Sequence, residues 1–274
     1  MRVNFEDARH EVNMTPKRFL LAGLLASLAL PALADSFTAS IGSDYSRGDY
    51  GTGTTSETWY VPLVGRYETG PMTYKLTVPW LRITNPSVGP DGVPLPGGCG
   101  KVESGLGDTV AGADYAVVDG NIGGLFVDLI GKVKLPTADE DKCLGTGKTD
   151  YSAQIDVAKV FGPVTGFATL GWRKFGDPSG TDFDDPIFAG LGFAMPVFAR
   201  TTAGVSYDWR QKVVSTGDQI KELTLFLTHK LNQHWKFQLY AVQGFSEASP
   251  DAEAGVGRRL AGRDMLARQP PPRH

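Results

Sequence analysis

Apolar residues occupy every second position along most of this chain, and this alternation restricts the possible folds more than any other feature of the sequence. The pattern is clearest at residues 72–80. Its apolar positions are Met72, Tyr74, Leu76, Val78 and Trp80, and the positions between them are Thr73, Lys75, Thr77 and Pro79. Successive side chains of a β-strand point to opposite faces, so the pattern predicts a strand with one apolar and one polar face.

The same alternation recurs as far as residue 260, where the final predicted strand, Ala252 to Leu260, ends. The tryptophans support one register for it. Trp59, Trp80, Trp172, Trp209 and Trp235 all occupy apolar positions, as the aromatic girdles on the lipid side of membrane barrels do.

The connections between the predicted strands alternate between short and long. The short ones are Glu68–Pro71, Asp119–Asn121, Phe161–Pro163, Pro196–Ala199 and Leu231–Gln233, and the long ones are 47–56, 85–104, 136–149, 176–185, 211–218 and 247–251. Outer-membrane barrels have short periplasmic turns and longer extracellular loops. We therefore predict an all-β fold for residues 35–260, a transmembrane antiparallel up-and-down barrel of about 12 strands.

Composition permits a barrel and excludes a helical membrane protein. No segment after residue 34 is apolar for the roughly 20 residues that a spanning helix needs. The mean hydropathy of -0.16 resembles that of a soluble protein, as alternating barrel strands also do. A soluble periplasmic β-sandwich remains an alternative, because alternation alone does not specify a membrane. The net charge of -3 gives no reason to expect nucleic acid as a partner.

Residues 1–34 have the pattern of a secretory signal peptide. Lys17 and Arg18 precede an apolar run from Phe19 to Leu30, and the small-x-small site ends at Ala34. We predict cleavage after Ala34, so that the mature protein begins at Asp35. Because Met14 directly precedes the basic region, residues 1–13 are interpreted as an over-extended start.

Two cysteines lie in the predicted mature chain, Cys99 in the second long loop and Cys143 in the third. Both loops lie at the extracellular end, and export brings the thiols to an oxidising compartment. We predict a disulfide between Cys99 and Cys143, with two free thiols as the alternative. The pair lacks the clustered ligand spacing of a zinc site, so no metal is predicted.

Charged residues fall in the inward register, where they avoid the cost of about 2 to 4 kcal/mol for Arg or Lys at the lipid midplane. The predicted pore-lining residues are Lys75, Asp108, Asp114, Asp128, Lys132, Asp156, Arg173, Arg200, Asp208, Glu222 and Lys236. Lys134, Arg210 and Glu253 share this register. The balance of signs argues against strong ion selectivity.

Five aromatic residues also take the inward register: Phe126, Phe167, Phe188, Phe226 and Tyr240. They make part of the lumen apolar enough for an aromatic solute, or they pack it shut. The sequence leaves both readings open.

Three short segments resemble a known family. Gly105-Leu106-Gly107-Asp108 is followed by Leu135-Pro136-Thr137-Ala138 and by Leu144-Gly145-Thr146-Gly147. In order and spacing these resemble predicted outer-membrane proteins named for the meta-pathway of phenol degradation. The resemblance implies an outer-membrane barrel associated with uptake of aromatic or other hydrophobic compounds, and no catalytic residue. The chain departs from such barrels after Leu260, where a charged, proline-rich tail at 261–274, predicted to be disordered, replaces a terminal aromatic residue.

The sequence offers no arrangement for catalysis. His229 and His234 flank a predicted turn without a partnered serine motif. The acidic runs Asp139–Asp141 and 182–185 are interpreted as solvated loop charges, with calcium or lipopolysaccharide bridging as the alternative. No cofactor is predicted.

We therefore predict a passive outer-membrane channel or carrier for small, aromatic or hydrophobic molecules. Its expected partners are outer-membrane lipid, lipopolysaccharide, the barrel assembly machinery and the solute. The alternatives are a structural or surface-interaction barrel with a plugged lumen, and a barrel enzyme. The sequence does not specify an oligomeric state.

Overall fold

The computed structural model describes residues 36–95, 97, 99–232 and 235–260. The predicted signal peptide with its cleavage site at Ala34, the tail at 261–274 and His234 lie outside the described residues. In the part that is described, no helix is long and apolar enough to cross a membrane.

The described chain consists of β-strands joined by turns and loops. The strands are β1 (Ser36–Gly48), β2 (Ser56–Thr69), β3 (Met72–Thr84), β4 (Val102–Leu106), β5 (Thr109–Ile122), β6 (Leu125–Leu135), β7 (Asp150–Phe161), β8 (Val164–Lys174), β9 (Ile187–Phe198), β10 (Thr201–Arg210), β11 (Ile220–Lys230), β12 (Trp235–Gly244) and β13 (Ala252–Leu260). A 3₁₀ turn, Glu140–Lys142, lies between β6 and β7.

These strands form one closed antiparallel sheet. Apart from β4 and β5, each strand pairs with its neighbours along the chain, and β13 pairs with β1 from Arg47 opposite Ala252 to Ser40 opposite Arg259. β4 and β5 both pair with β3, one after the other, so together they occupy a single position in the wall. The result is a closed barrel of 12 strand positions, which confirms the predicted fold.

The outer face of the barrel is apolar and exposed, although nothing in a soluble environment would favour that arrangement. Leu63, Leu170, Leu191 and Leu225 are each at least 55% exposed, and alternate residues on the same strands are buried inside. An exposed apolar surface that surrounds a closed barrel is the surface that lipid contacts.

The two ends of the barrel differ. The short turns 70–71, 123–124, 162–163 and 199–200 lie at one end, here called the turn end, together with residues 231–232, the start of β1 and the end of β13. The longer connections 49–55, 136–149, 175–186, 211–219 and 245–251 lie at the other, the loop end, as do residues 85–95 and 99–101. This strict alternation is the one predicted from the sequence.

Apolar side chains fill part of the interior towards the turn end. This cluster, the aromatic floor, consists of Phe126, Ala158, Phe167, Ala194, Phe226, Tyr240 and Val242, all buried. The Phe167 and Phe226 rings lie 6.3 Å apart. On the opposite wall, ion pairs occupy the same part of the barrel, with Arg66 to Glu68 at 2.8 Å and Lys75 to Asp114 at 3.0 Å. Four of the five inward aromatic residues, Phe126, Phe167, Phe226 and Tyr240, therefore pack together, and Phe188 lies outside this cluster.

The apolar outer face leads to a first prediction. Leu170 lies near the middle of β8, and Phe161 lies at the turn end of β7, both facing outwards. In lipid vesicles we expect Leu170→Arg to lower the free energy of unfolding by about 2 to 4 kcal/mol, because it places a charge at the midplane, and Phe161→Arg by about 0 to 1 kcal/mol. Urea unfolding of both variants measures the difference. Equal effects would contradict the assignment of the lipid-facing belt.

Candidate functional site

The loop between β3 and β4 folds back over the barrel as a small hairpin. This lumenal hairpin, Ser87–Leu95, has backbone hydrogen bonds from Leu95 N to Ser87 O (3.0 Å) and from Gly89 N to Val93 O (2.8 Å). Its tip has the sequence Gly89-Pro90-Asp91-Gly92. Proline presets the backbone of the turn, and Gly92 adopts a φ of 66°, which glycine tolerates without strain. Local sequence therefore determines the turn that presents Asp91.

Two arginines from the barrel wall hold the hairpin tip. Arg173 Nη2, near the loop end of β8, lies 2.7 Å from Asp91 Oδ2. Arg210, the last residue of β10, donates from Nη1 to the Asp91 carbonyl at 2.7 Å and from Nη2 to the Gly92 carbonyl at 3.3 Å. Hydrogen bonds between charged partners are the strong ones, at about 1.5 to 3 kcal/mol each.

Apolar contacts hold the flank of the hairpin. Val93 is buried in a cluster with Phe175 and Val213, with Phe183 packed against it. The Arg173 guanidinium carbon lies 4.3 Å from the centroid of the Phe175 ring. Phe175 thus supports both the hairpin and one of the arginines that bind it.

The tip joins a chain of ion pairs that runs along the inside of the barrel wall, from β8 through β7 to β6. Asp150 lies 3.0 Å from Arg173 and 3.2 Å from Lys134. Lys134 in turn lies 2.8 Å from Asp108 and donates to Thr146 Oγ1 at 3.2 Å. The arrangement gives each buried charge an opposite partner, which offsets the cost of removing it from water.

Burial of the Asp91 carboxyl would by itself raise its pKa, but the nearby charges of Arg173, Lys134 and Arg210 outweigh that effect. Together they lower the pKa of Asp91 from 3.8 to about 2. Asp91 is therefore ionised at neutral pH.

The wall is interrupted where β4 ends and β5 begins. Gly107 N donates to the Pro79 carbonyl at 2.9 Å, and a Cβ on Gly107 would lie 2.8 Å from Leu81 Cδ1. A side chain at this position would therefore require the buried Leu81 side chain to shift. Asp108, just after the break, accepts a hydrogen bond from Ala138 N at 3.0 Å.

The three segments that carry the family resemblance meet at this break. Thr137 Oγ1 donates to the Gly107 carbonyl at 3.2 Å, and Thr109 N donates to Thr137 Oγ1 at 2.8 Å. Lys134 links Asp108 to Thr146, as described above. The motifs therefore form one structural unit that joins two loops to the interrupted strand.

The predicted disulfide is present and ties the same two loops together. Cys99 and Cys143 are bonded, with their Cα atoms 6.0 Å apart. Leu144, next to Cys143, packs inside the barrel against Leu81 and Ile83. The end of the hairpin loop is thereby anchored to a buried position on the wall.

The hairpin tip divides the space at the loop end into two cavities. The larger, about 240 Å³, lies between the hairpin and strands β6 to β11, and its charged lining includes Lys134, Arg173, Arg210, Asp150, Glu222 and Glu253. The smaller, about 120 Å³, lies between the hairpin and β3, Asp108 and Leu144. Residues 89–91 line both cavities. Movement of the hairpin would merge them.

Two acidic residues that line the larger cavity, Glu222 and Glu253, lie near Tyr50 and Asp44. The Tyr240 hydroxyl donates to Asp44 and also contacts Glu253 Oε1 at 3.5 Å. Burial raises the pKa of Tyr50, which lies in the first long loop, and a hydrogen bond to Ser46 lowers it by less. The negative charges of Glu253, Glu222 and Asp44 raise this pKa further. Glu222 and Glu253 thus border the larger cavity together with Lys134, Arg173 and Arg210.

Most of the predicted pore-lining residues point into the barrel. Asp114, Asp128, Asp156, Glu222 and Lys236 are buried in the interior, and Lys75 pairs with Asp114 there. Asp108 is also enclosed, and Lys132, Arg173 and Asp208 line the larger cavity. Arg200 does not belong with them. β9 ends at Phe198 and β10 begins at Thr201, so Arg200 lies exposed in the turn, where it donates to the Leu231 carbonyl at 3.3 Å.

Asp91 and Asp150 were not among the predicted site residues. Asp150 continues the inward series formed by Ser152, Gln154 and Asp156, so one further step of the alternation would have included it. The Pro-Asp-Gly sequence signals a turn at Asp91. No signal in the sequence indicates that this turn would enter the barrel.

The other candidate residues have structural contacts. Thr201 Oγ1 and His229 Nδ1 lie 2.9 Å apart at the turn end. Asp139 pairs with Lys142 at 3.3 Å, and Asp185 pairs with Lys174 at 3.2 Å. Within the described ranges, no group of three or more His, Cys, Asp or Glu side chains is arranged to hold a metal ion.

Comparison with solved structures identifies the fold. The COG4313 outer membrane channel from Pseudomonas putida F1 is similar to 87% of this chain over 99% of its own length, with a TM-score of 0.61 and 16% identity. The KdgM porin is similar to 82% of this chain over 99% of its own length, with a TM-score of 0.51 and 10% identity. No family model and no curated protein sequence matches the chain. The chain has the fold of bacterial outer-membrane barrels.

The disulfide leads to a second prediction. In the chain-entropy description, closing a segment of 44 positions stabilises the folded state by about 4 kcal/mol. We expect the Cys99→Ala, Cys143→Ala variant to unfold at lower urea concentration than the oxidised protein, and the reduced wild type to behave like the variant. Non-reducing gels check the bond itself. Identical mobility with and without reductant, together with ready alkylation of both thiols, would contradict it.

The low pKa of Asp91 leads to a third prediction. A carboxylate with a lowered pKa contributes its full stabilisation above its ordinary value of 3.8 and loses it as the pH falls towards 2. Hydrogen exchange across residues 87–95, corrected for the intrinsic rate, should therefore increase between about pH 4 and pH 2.

In Asp91→Asn the same amides should exchange rapidly throughout that range. Asp218→Asn, which removes a carboxylate from an exposed loop, serves as the matched control and should keep the wild-type dependence. If the wild-type hairpin were equally protected from exchange at about pH 4 and pH 2, the ion pair between Asp91 and Arg173 would not be what holds it in place.

Proposed function

We propose that this protein is a passive outer-membrane channel or carrier for small molecules, with the lumenal hairpin as its main restriction. The observation that carries the proposal is the hairpin held by Arg173 and Arg210 between two cavities at the loop end. A hairpin held by a few polar contacts and one apolar flank can move without unfolding the barrel, because local openings need only a fraction of the global stability.

The comparisons support the same assignment at the level of fold. The two similar structures are described as an outer membrane channel and a porin. An outer-membrane location agrees with the apolar belt around the closed barrel. We infer membership of the family named for the meta-pathway of phenol degradation from the three segments that meet at the strand break.

The class of solute follows from what lines the interior. Charged groups surround the larger cavity, and the aromatic floor lies below it towards the turn end. A small molecule with an apolar or aromatic body and a polar group would find partners for both parts. The orientation that places the loop end outside the cell would let it enter through the loops and leave at the turn end.

A structural barrel with a plugged lumen is the second candidate, and the aromatic floor favours it. Seven buried residues from β6, β7, β8, β9, β11 and β12 form this packed layer. A floor of that kind would block passage even after the hairpin moved, unless its side chains rearranged.

The fourth prediction separates these two functions. In planar bilayers we expect discrete conductance steps for the wild type and larger steps for Asp91→Asn, because the neutral side chain no longer holds the hairpin against Arg173. Liposome swelling with benzyl alcohol and arabinose measures flux of an aromatic and a polar solute.

Phe226→Ala, which opens the aromatic floor, is the companion variant. Conductance only after this substitution would favour the plugged barrel. Absence of both conductance and solute flux in the wild type, Asp91→Asn and Phe226→Ala would overturn the channel.

A further inference from the structure

We propose that Arg173 and Arg210 form a binding site for the carboxylate of a small organic anion, and that Asp91 is its resident occupant. The inference rests on the proposed channel function, because the anion would reach the site through the lumen. It specifies a solute class and a means of opening that the channel assignment alone does not contain.

The two arginines come together from separate strands. Arg173 is on β8 and Arg210 is on β10, with β9 between them. Arg173 Nη2 lies 2.7 Å from the Asp91 carboxylate, while Arg210 binds the carbonyl oxygens of Asp91 and Gly92. The planar guanidinium group is suited to carboxylate oxygens, so an anion in place of the hairpin tip would find both groups within reach.

Arg173 does not depend on the hairpin alone for its orientation. Asp150 holds Arg173 at 3.0 Å and also accepts a hydrogen bond from Gly176 N at 3.1 Å. The Phe175 ring lies against the same guanidinium. Arg173 therefore keeps its orientation when Asp91 leaves, and a preorganised site loses less affinity to ordering.

The resident side chain is only partly enclosed. The Asp91 side chain is 33% exposed and borders the cavity of about 240 Å³. An incoming anion can thus approach Arg173 and Arg210 from the cavity while Asp91 is still in place. Phe188, Ile220 and Val110 line the same cavity and offer contacts for an apolar body.

The surroundings favour a single negative charge. Asp150 lies beside Arg173 and Lys134, and Glu222 and Glu253 also line the cavity. A monocarboxylate would replace Asp91 charge for charge, whereas a doubly charged phosphate would add repulsion from Asp150. The occupant found in the structure, a carboxylate, has the charge that the site balances.

Competition between Asp91 and a free carboxylate couples binding to opening. An anion that binds only when the hairpin has withdrawn shifts the population towards the withdrawn state. Its apparent affinity in the wild type is reduced by the small fraction of molecules in that state. Without the Asp91 carboxylate the hairpin should withdraw more often, so the apparent affinity for the anion should rise.

The test is direct binding of benzoate to the full chain in detergent, measured by titration calorimetry at pH 7, with no membrane or flux involved. Asp91→Ala should bind benzoate with a Kd lower than that of the wild type by about tenfold or more. Benzamide, which has the same ring without the charge, should show no such gain. Phosphate should bind Asp91→Ala more weakly than benzoate does.

Two further variants locate the site. Arg210→Gln, made in the Asp91→Ala background, should abolish the gain in benzoate affinity. Arg200→Gln in the same background is the matched control, because it removes an exposed turn arginine, and it should keep the gain. Heat-modifiable gel migration checks that each variant is folded.

The proposal would be overturned if Asp91→Ala bound benzoate no better than the wild type did, if benzamide gained as much, or if phosphate bound more tightly than benzoate. Binding without flux would overturn the channel and leave the carboxylate site. Flux without the gain in benzoate binding would overturn the carboxylate site and leave the channel.

Discussion

Backbone hydrogen bonding in lipid is the constraint on which the rest of this structure depends. Each unpaired N–H or C=O in the hydrocarbon core costs several kcal/mol, so a sheet that spans a membrane must have no free edge. Here the edge is removed by β13, whose backbone pairs with β1 over eight residue pairs. Closure in turn creates an enclosed interior, and the period of two along each strand then divides every side chain between lipid and that interior.

The enclosed interior raises a second problem, because charges placed there are partly removed from water. The barrel balances them by pairing. At the loop end, Lys134, Arg173 and Arg210 face Asp108, Asp150 and Asp91, three charges of each sign. Five of these six side chains come from the wall or the strand break, and the sixth comes from a loop. The hairpin is therefore an electrostatic part of the interior as well as an obstruction in it.

The sequence was informative about whatever depends on neighbouring residues. Alternation predicted the faces of the strands, turn chemistry predicted the connections, and the loop positions of Cys99 and Cys143 predicted their bond. Apart from this disulfide, contacts between residues far apart in the chain were not predicted. Asp91 meets Arg210 across 119 positions, and no local pattern encodes that meeting. Arg200 was misplaced for a related reason, because alternation continues formally through a turn although the strand has ended at Phe198.

The disulfide has a consequence for how the lumenal hairpin can move. The hairpin ends at Leu95 and Cys99 follows four residues later, a length that spans at most about 14 Å when fully extended. Asp91, at the tip, lies eight positions before Cys99, so with Cys99 fixed to Cys143 the displaced tip stays within about 28 Å of the disulfide. Tethering of this kind keeps a group at an effective concentration in the millimolar range. After each solute departs, Asp91 would still be close to Arg173 and Arg210. The disulfide would therefore favour return of the hairpin to its closed position.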